Sequence, residues 1–129
     1  METTENYTNA FTSAPYGALY DLTVLEEMDD NECVLELLTI LLSETPRDLQ
    51  EMKKAVKAGK ADKVYQAAHK LKGSAGIIQA EAFNALLSNI ETLGKKGAVN
   101  KELAGMVDTA EIQYVSIEKG LKLYMQGLR

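Results

Sequence analysis

One cysteine and one histidine are all this 129-residue chain offers in the way of thiolate or imidazole ligands. A single cysteine cannot close an internal disulfide, and with one histidine it cannot complete a protein-only zinc site. Tryptophan is absent, and the only prolines are Pro15 and Pro46. Basic residues are outnumbered, 14 Lys and Arg against 19 Asp and Glu. The formal charge of −5 argues against the net basic surface that nucleic-acid binding usually requires. The longest apolar stretch, from Val34 to Leu42, is broken by Glu36 and is far too short to cross a bilayer. The start, Met1-Glu2-Thr3-Thr4-Glu5, is acidic and polar, so no signal peptide is expected. No glycine-rich phosphate loop is present, so ATP itself is not expected to bind. The length supports one domain with one core. These absences leave the expectation of a soluble, cytoplasmic, single-domain protein, and Met1 with its polar tail suits a free-standing one.

Helical periodicity fills most of the remainder. Residues 1–20, rich in Thr, Asn and Ser, show no period and read as a flexible tail, with Tyr16, Leu19 and Tyr20 as candidate contacts to the domain. The domain is expected over 21–129. A short first helix is predicted from about Leu22 to Met28, with Thr23 as candidate cap. The second follows Asn31 and carries Val34, Leu38, Leu41, Leu49, Met52 and Val56 at steps suited to one face. Pro46 should kink it, and Gly59 is placed to end it in a left-handed turn. A third helix spans about Ala61 to Ile77. The fourth carries Phe83, Leu86, Leu87, Ile90 and Leu93 and ends near Gly94 or Gly97. Asn100 then caps a long fifth helix with Leu103, Val107, Ala110, Tyr114, Ile117, Leu121 and Tyr124 on one side. Short connections make neighbours antiparallel. The expected class is all-α: an antiparallel up-down four-helix bundle with a short additional N-terminal helix.

The lone histidine lies in the third helix. There Val64, Ala67, Ala68, Leu71, Ala75 and Ile78 form the apolar stripe, and His69 falls nearly opposite its centre. One and two turns on stand Lys72, Gly73 and Gly76. Glycine in a helix costs about 1 kcal/mol relative to alanine, so two on an exposed face need a reason. Access is one: without side chains there, another protein's backbone can approach the imidazole. Lys72 brings a positive charge suited to an anion held on the ring. The segment 59–80 is net positive, whereas 21–58 is net negative and 81–129 is balanced. An exposed imidazole beside a lysine in cleared space suits a nucleophile that carries phosphate. The plainer reading is an ordinary surface histidine, fraying glycines and a solvated lysine face, and all three must then hold together. Cys33 reads as a small buried or half-buried filler, with nothing basic beside it to make it reactive.

The string His69-Lys70-Leu71-Lys72-Gly73-Ser74-Ala75 resembles the signature of histidine-containing phosphotransfer (HPt) domains. Tyr20-Asp21-Leu22, Glu44-Thr45-Pro46 and the Ala58-Gly59 turn extend the resemblance from about residue 20 to the end. It implies that His69 accepts the phosphoryl group and that Lys72 and Gly73 are the family's lysine and glycine beside it. Glu91 matches a position where the family often has Gln or Glu near the imidazole. Two departures stand out: Gln79 replaces a glycine common after the third helix, and Lys60 replaces the usual Asp before it, removing a cap.

The resemblance further implies a phosphocarrier of a two-component relay, without kinase activity or a cofactor of its own. Its partners would be response-regulator receiver domains and a hybrid sensor histidine kinase, with Mg2+ held by the receiver. Docking is expected around His69, with Leu25, Met28, Gln66, Lys70 and Gly76 as candidate partner-binding residues. No membrane or nucleic-acid partner is expected, and a monomer is the default because the histidine face must stay open. A kinase dimerisation domain would follow its histidine with an acidic residue, where Lys70 stands here. A haem or di-metal bundle needs more ligands than one histidine supplies. The serious alternative is a phosphorylation-independent helical interaction module of the same fold.

Overall fold

The computed structural model describes residues 19–128. The tail expected over 1–20 therefore falls almost wholly outside it, Tyr16 included; Leu19 and Tyr20 are described and pack against the core. Five helices follow in order: α1 (Thr23–Glu26), α2 (Asn31–Lys57), α3 (Ala61–Ile77), α4 (Glu81–Lys95) and α5 (Lys101–Leu128). No strand occurs among the described residues. The four long helices pack as a ring, α2 on α3, α3 on α4, α4 on α5 and α5 on α2, with α1 laid against α2. Up-down connectivity with short turns imposes this order, and it sets α3 and α5 at opposite corners.

The core is the set of apolar positions recurring at helical spacing. Leu38, Met52, Val64, Leu71, Leu87, Ile90, Leu103, Ile117 and Leu121 are buried side chains from all four long helices. Tyr114 joins them and packs its ring against Phe83. Its hydroxyl has no hydrogen-bond partner among the described residues, and burial pushes the pKa of that group up.

Helix ends follow their residues. Asp30 accepts from the Cys33 N–H at 3.0 Å and Asn100 from the Leu103 N–H at 3.0 Å, so α2 and α5 start on side-chain caps. Cys33 is half-buried in that first turn of α2. Lys60 offers α3 no side-chain cap, as its departure from Asp implies. Gly59 ends α2 at φ +68°, where the Lys60 N–H returns to the Ala55 carbonyl and the Gly59 N–H to Val56. The same closure ends α3, with the Ala80 N–H on Ala75 and the Gln79 N–H on Gly76. Gln79 occupies the position that glycine favours and adopts φ +49°. The loop thus keeps its path at the cost of a side chain in the left-handed region.

One detail departs from the sequence-based expectation, and two fill it in. The first helix is only four residues long, and Thr23 opens it rather than capping it. Both the N–H and the hydroxyl of Thr23 donate to Asp21 Oδ1, at 2.9 and 2.6 Å. α2 runs unbroken through Pro46, although a residue without an N–H leaves the Leu42 carbonyl without its usual donor. α4 ends at Lys95, between the two glycines near which it was expected to stop: Gly94 lies in its last turn, and the left-handed turn falls at Gly97, φ +82°.

Candidate functional site around His69

The core stripe of α3 turns Val64, Ala68, Leu71 and Ala75 inward, which leaves His69 on the outer face with 73% of its side chain exposed. Its Nδ1 lies 2.8 Å from Oε2 of Glu91, on α4. A carboxylate can only accept, so Nδ1 carries the proton in this pair. Nε2 makes no hydrogen bond among the described residues, and it is the nitrogen left with a lone pair.

Glu91 is the centre of the arrangement. Its side chain is 11% exposed, and Lys72 Nζ donates to Oε1 at 3.0 Å. Lys95, one turn further along α4, places its ammonium 3.9 Å from Oε2 and over the Tyr65 ring, 5.8 Å from the centroid. The Lys72 hydrogen bond holds the Glu91 carboxyl below its ordinary pKa; burial opposes this, and the His69 hydrogen bond and the charges of Lys72 and Lys95 reinforce it. A folded-state value below the unfolded one gives stabilisation that is complete above the unfolded pKa. It is lost as pH falls through the lowered value. We therefore expect wild type to lose stability, as pH falls below the ordinary carboxylate range, that a Glu91→Gln variant does not lose there. Urea unfolding of both proteins across that range checks it.

On the other side of α3, Lys70 pairs with Asp48 of α2 at 3.1 Å. Asp48 is nearly buried, and Lys70 supplies the counter-charge its carboxylate needs. α3 is thus tied by ion pairs to both neighbours while its outer ridge stays bare. A Cβ added at Gly73 or at Gly76 would meet nothing within 4 Å.

The structure therefore brings His69, Lys72, Gly73 and Glu91 to one place. Gln66, Lys70 and Gly76 are exposed on the same helix, and Met28 is exposed after α1. Leu25 does not join them. Its side chain is buried in the core, because the single apolar anchor of so short a helix must point inward. Val24 is the exposed neighbour. Sequence reasoning missed Lys95 and Asp48. The four-residue spacing from Glu91 to Lys95 carried a signal; the Asp48–Lys70 pair depends on the register of α2 against α3 and carried none. Among the described residues no group of three or more His, Cys, Asp or Glu comes together to hold a metal ion. No helix of the described residues is long and apolar enough to cross a membrane.

Comparison with known proteins bears on the same region. Among solved structures, histidine-containing phosphotransfer protein B (HptB) from Pseudomonas aeruginosa PAO1 matches with a TM-score of 0.80 and 21% identity, covering 91% of this chain and 100% of that one. A likeness at that identity supports the bundle and its topology. No curated protein sequence matches. The sequence model of the Hpt domain matches residues 36–129, which takes in α3, α4 and every residue gathered around the imidazole. With most of its length under that match, the chain belongs to the Hpt domain family, the histidine phosphotransfer proteins of phosphorelays.

Proposed function

We propose that His69 accepts a phosphoryl group from the aspartyl phosphate of a receiver domain and passes it to the aspartate of another. The observation that carries this is the Nδ1–Glu91 pair, which leaves the exposed Nε2 as nucleophile. Nε2 attacks phosphorus in line, the N–P bond forms as the P–O bond to the aspartyl carboxylate breaks, and that carboxylate leaves. The ring becomes positive as it is phosphorylated, and Glu91 meets that charge through the Nδ1 proton. Lys72, already held in the site by Glu91, screens the phosphoryl oxygens without acting as acid or base. Transfer onward reverses these steps. The chain acts as a phosphocarrier; the magnesium ion belongs to the receiver, and a hybrid sensor kinase is the source of the phosphate. Gln66, Lys70 and Gly76, exposed on the helix of His69, form the docking surface, with Met28 beyond α1 as a further contact.

The test is transfer of labelled phosphate from several phosphorylated receivers, followed by mapping of the label. Acid-labile, alkali-stable label on the His69 peptide supports the reading. No label from any receiver, on a folded bundle, transfers the function to the phosphorylation-independent interaction module.

The open space at Gly73 makes a separable prediction. Gly73→Leu should raise the stability of the bundle by about 0.5–1 kcal/mol, because a helix-favouring residue replaces glycine without a clash. The same substitution should slow phosphotransfer by tenfold or more, an order-of-magnitude expectation for a side chain set beside the reacting nitrogen. Thermal melts and transfer rates of one preparation would show the two effects with opposite sign.

A further inference from the structure

The side of the molecule opposite His69 also carries a pattern. On α5, Leu103, Val107, Ala110, Tyr114, Ile117 and Leu121 face the core. At about 100° per residue, the line diametrically opposite passes through Asp108, Ile112, Val115 and Lys119. Ile112 is 69% exposed and Val115 60%, more than any other large apolar side chain among the described residues. Singly such residues are ordinary; here two adjoin, one turn apart, with an acid a turn before them and a base a turn after. Neither Asp108 nor Lys119 has an ion-pair partner among the described residues. The steps of four, three and four are those of a helix-pairing seam.

We propose that this face binds a second copy of the chain, α5 against α5 in antiparallel orientation about a two-fold axis between Gln113 and Tyr114. The pattern is its own complement under that rotation. Ile112 meets Val115 of the second copy and Asp108 meets its Lys119, each contact occurring twice, as an isologous interface requires. Gly105 lies opposite Lys122 and gives that longer side chain room. A parallel pairing in register would set Asp108 on Asp108 and Lys119 on Lys119, so charge selects the antiparallel form. α3 stands at the opposite corner of the bundle, so the dimer presents its two His69 faces outward and each stays open. This departs from the monomer expected of the sequence, whose premise was only that the histidine face remain accessible. The inference stands apart from the phosphotransfer reading and does not need it.

A single helix pair buries less than the roughly 1,200 Å² of a standard interface, so the dimer should be weak, with a dissociation constant on the order of 0.1 mM. The experiment is sedimentation equilibrium of the full chain from about 10 µM to 1 mM, with circular dichroism on each variant to show that it folds. Wild type should approach dimer mass at the upper concentrations. Asp108→Lys and Lys119→Asp should each weaken association about tenfold, by placing like charges together twice. The double variant Asp108→Lys/Lys119→Asp should recover wild-type association, because each exchanged charge then meets its opposite. A wild type that stays monomeric throughout overturns the proposal. So do single variants that associate as well as wild type, or a double variant that stays as weak as the singles.

Discussion

His69→Gln should take phosphoryl acceptance to background, a loss of at least about 10³-fold, while leaving the melting curve nearly unchanged. A reaction deprived of its nucleophile keeps only what binding contributes. No other side chain can take over: the nearest alternatives are lysines and a carboxylate already paired with one another. The fold has little to lose, because 73% of the imidazole is in solvent and its one described hydrogen bond is to Glu91. Glu91 keeps Lys72 at 3.0 Å when the ring is gone, so its charge stays compensated. Surface substitutions of this kind usually shift stability by less than about 0.5 kcal/mol. Transfer assays and thermal melts on the same protein would check both halves. A His69→Gln protein that still took up acid-labile label would remove the assignment.

Gly94→Ala should have the largest effect on stability, about 2 kcal/mol lost. In a chain of this size that is roughly a 5–15 °C lower melting temperature. A Cβ at that position would sit 2.8 Å from Tyr65 Cβ, 3.1 Å from the Tyr65 nitrogen and 3.2 Å from the Ala61 carbonyl oxygen. None of these atoms is the far end of a flexible side chain, so α3 and α4 must move apart. The helix-propensity gain of about 1 kcal/mol offsets only part of that strain. Gly76→Ala is the internal control, since a Cβ there meets nothing within 4 Å and should stabilise by up to about 1 kcal/mol. Because His69 and Glu91 face each other across the same pair of helices, Gly94→Ala should also lengthen their contact and slow transfer in the fraction that remains folded.

Most of the architecture was legible because each long helix carries its own burial pattern and its own stop. The α3 stripe from Val64 to Ile78 fixed both the bounds of that helix and the outward place of His69. Gly59 and Asn100 did the same for the ends of α2 and α5. What could not be read was whatever depends on how two helices sit against each other. Gly94 and Gly97 looked like equivalent stops for α4; Gly97 takes the left-handed turn, whereas Gly94 is set by its contact with Tyr65 on a different helix. Leu25 and Met28 looked equivalent beside a short amphipathic segment; α1 proved to have a single turn, and only one of them could face inward. Glu91 was reached through resemblance to a family, not through spacing, and its hold by two lysines became visible only once α3 and α4 were placed side by side. Asp48 had no signal at all.

The helices also differ in length, and the mismatch divides the molecule. At 1.5 Å per residue α2 and α5 extend about 40 Å, whereas α3 and α4 extend about 22–26 Å. Antiparallel order places the start of α2, the end of α3, the start of α4 and the end of α5 at one end of the bundle. There α1 is fastened by the Asp21 N–H to the Ile78 carbonyl at 2.9 Å and by the Tyr124 hydroxyl to Glu26 at 3.1 Å. Beside these hydrogen bonds the segment buries Leu22 and Leu25, far less than any long helix buries, so that end should open before the rest, with fast amide exchange through α1 and the first turn of α2. His69 and Glu91 sit well inside their helices, in the layer where all four pack. The carrier can therefore breathe at its cap while the imidazole, its carboxylate and the lysine on that carboxylate's other oxygen hold one fixed geometry.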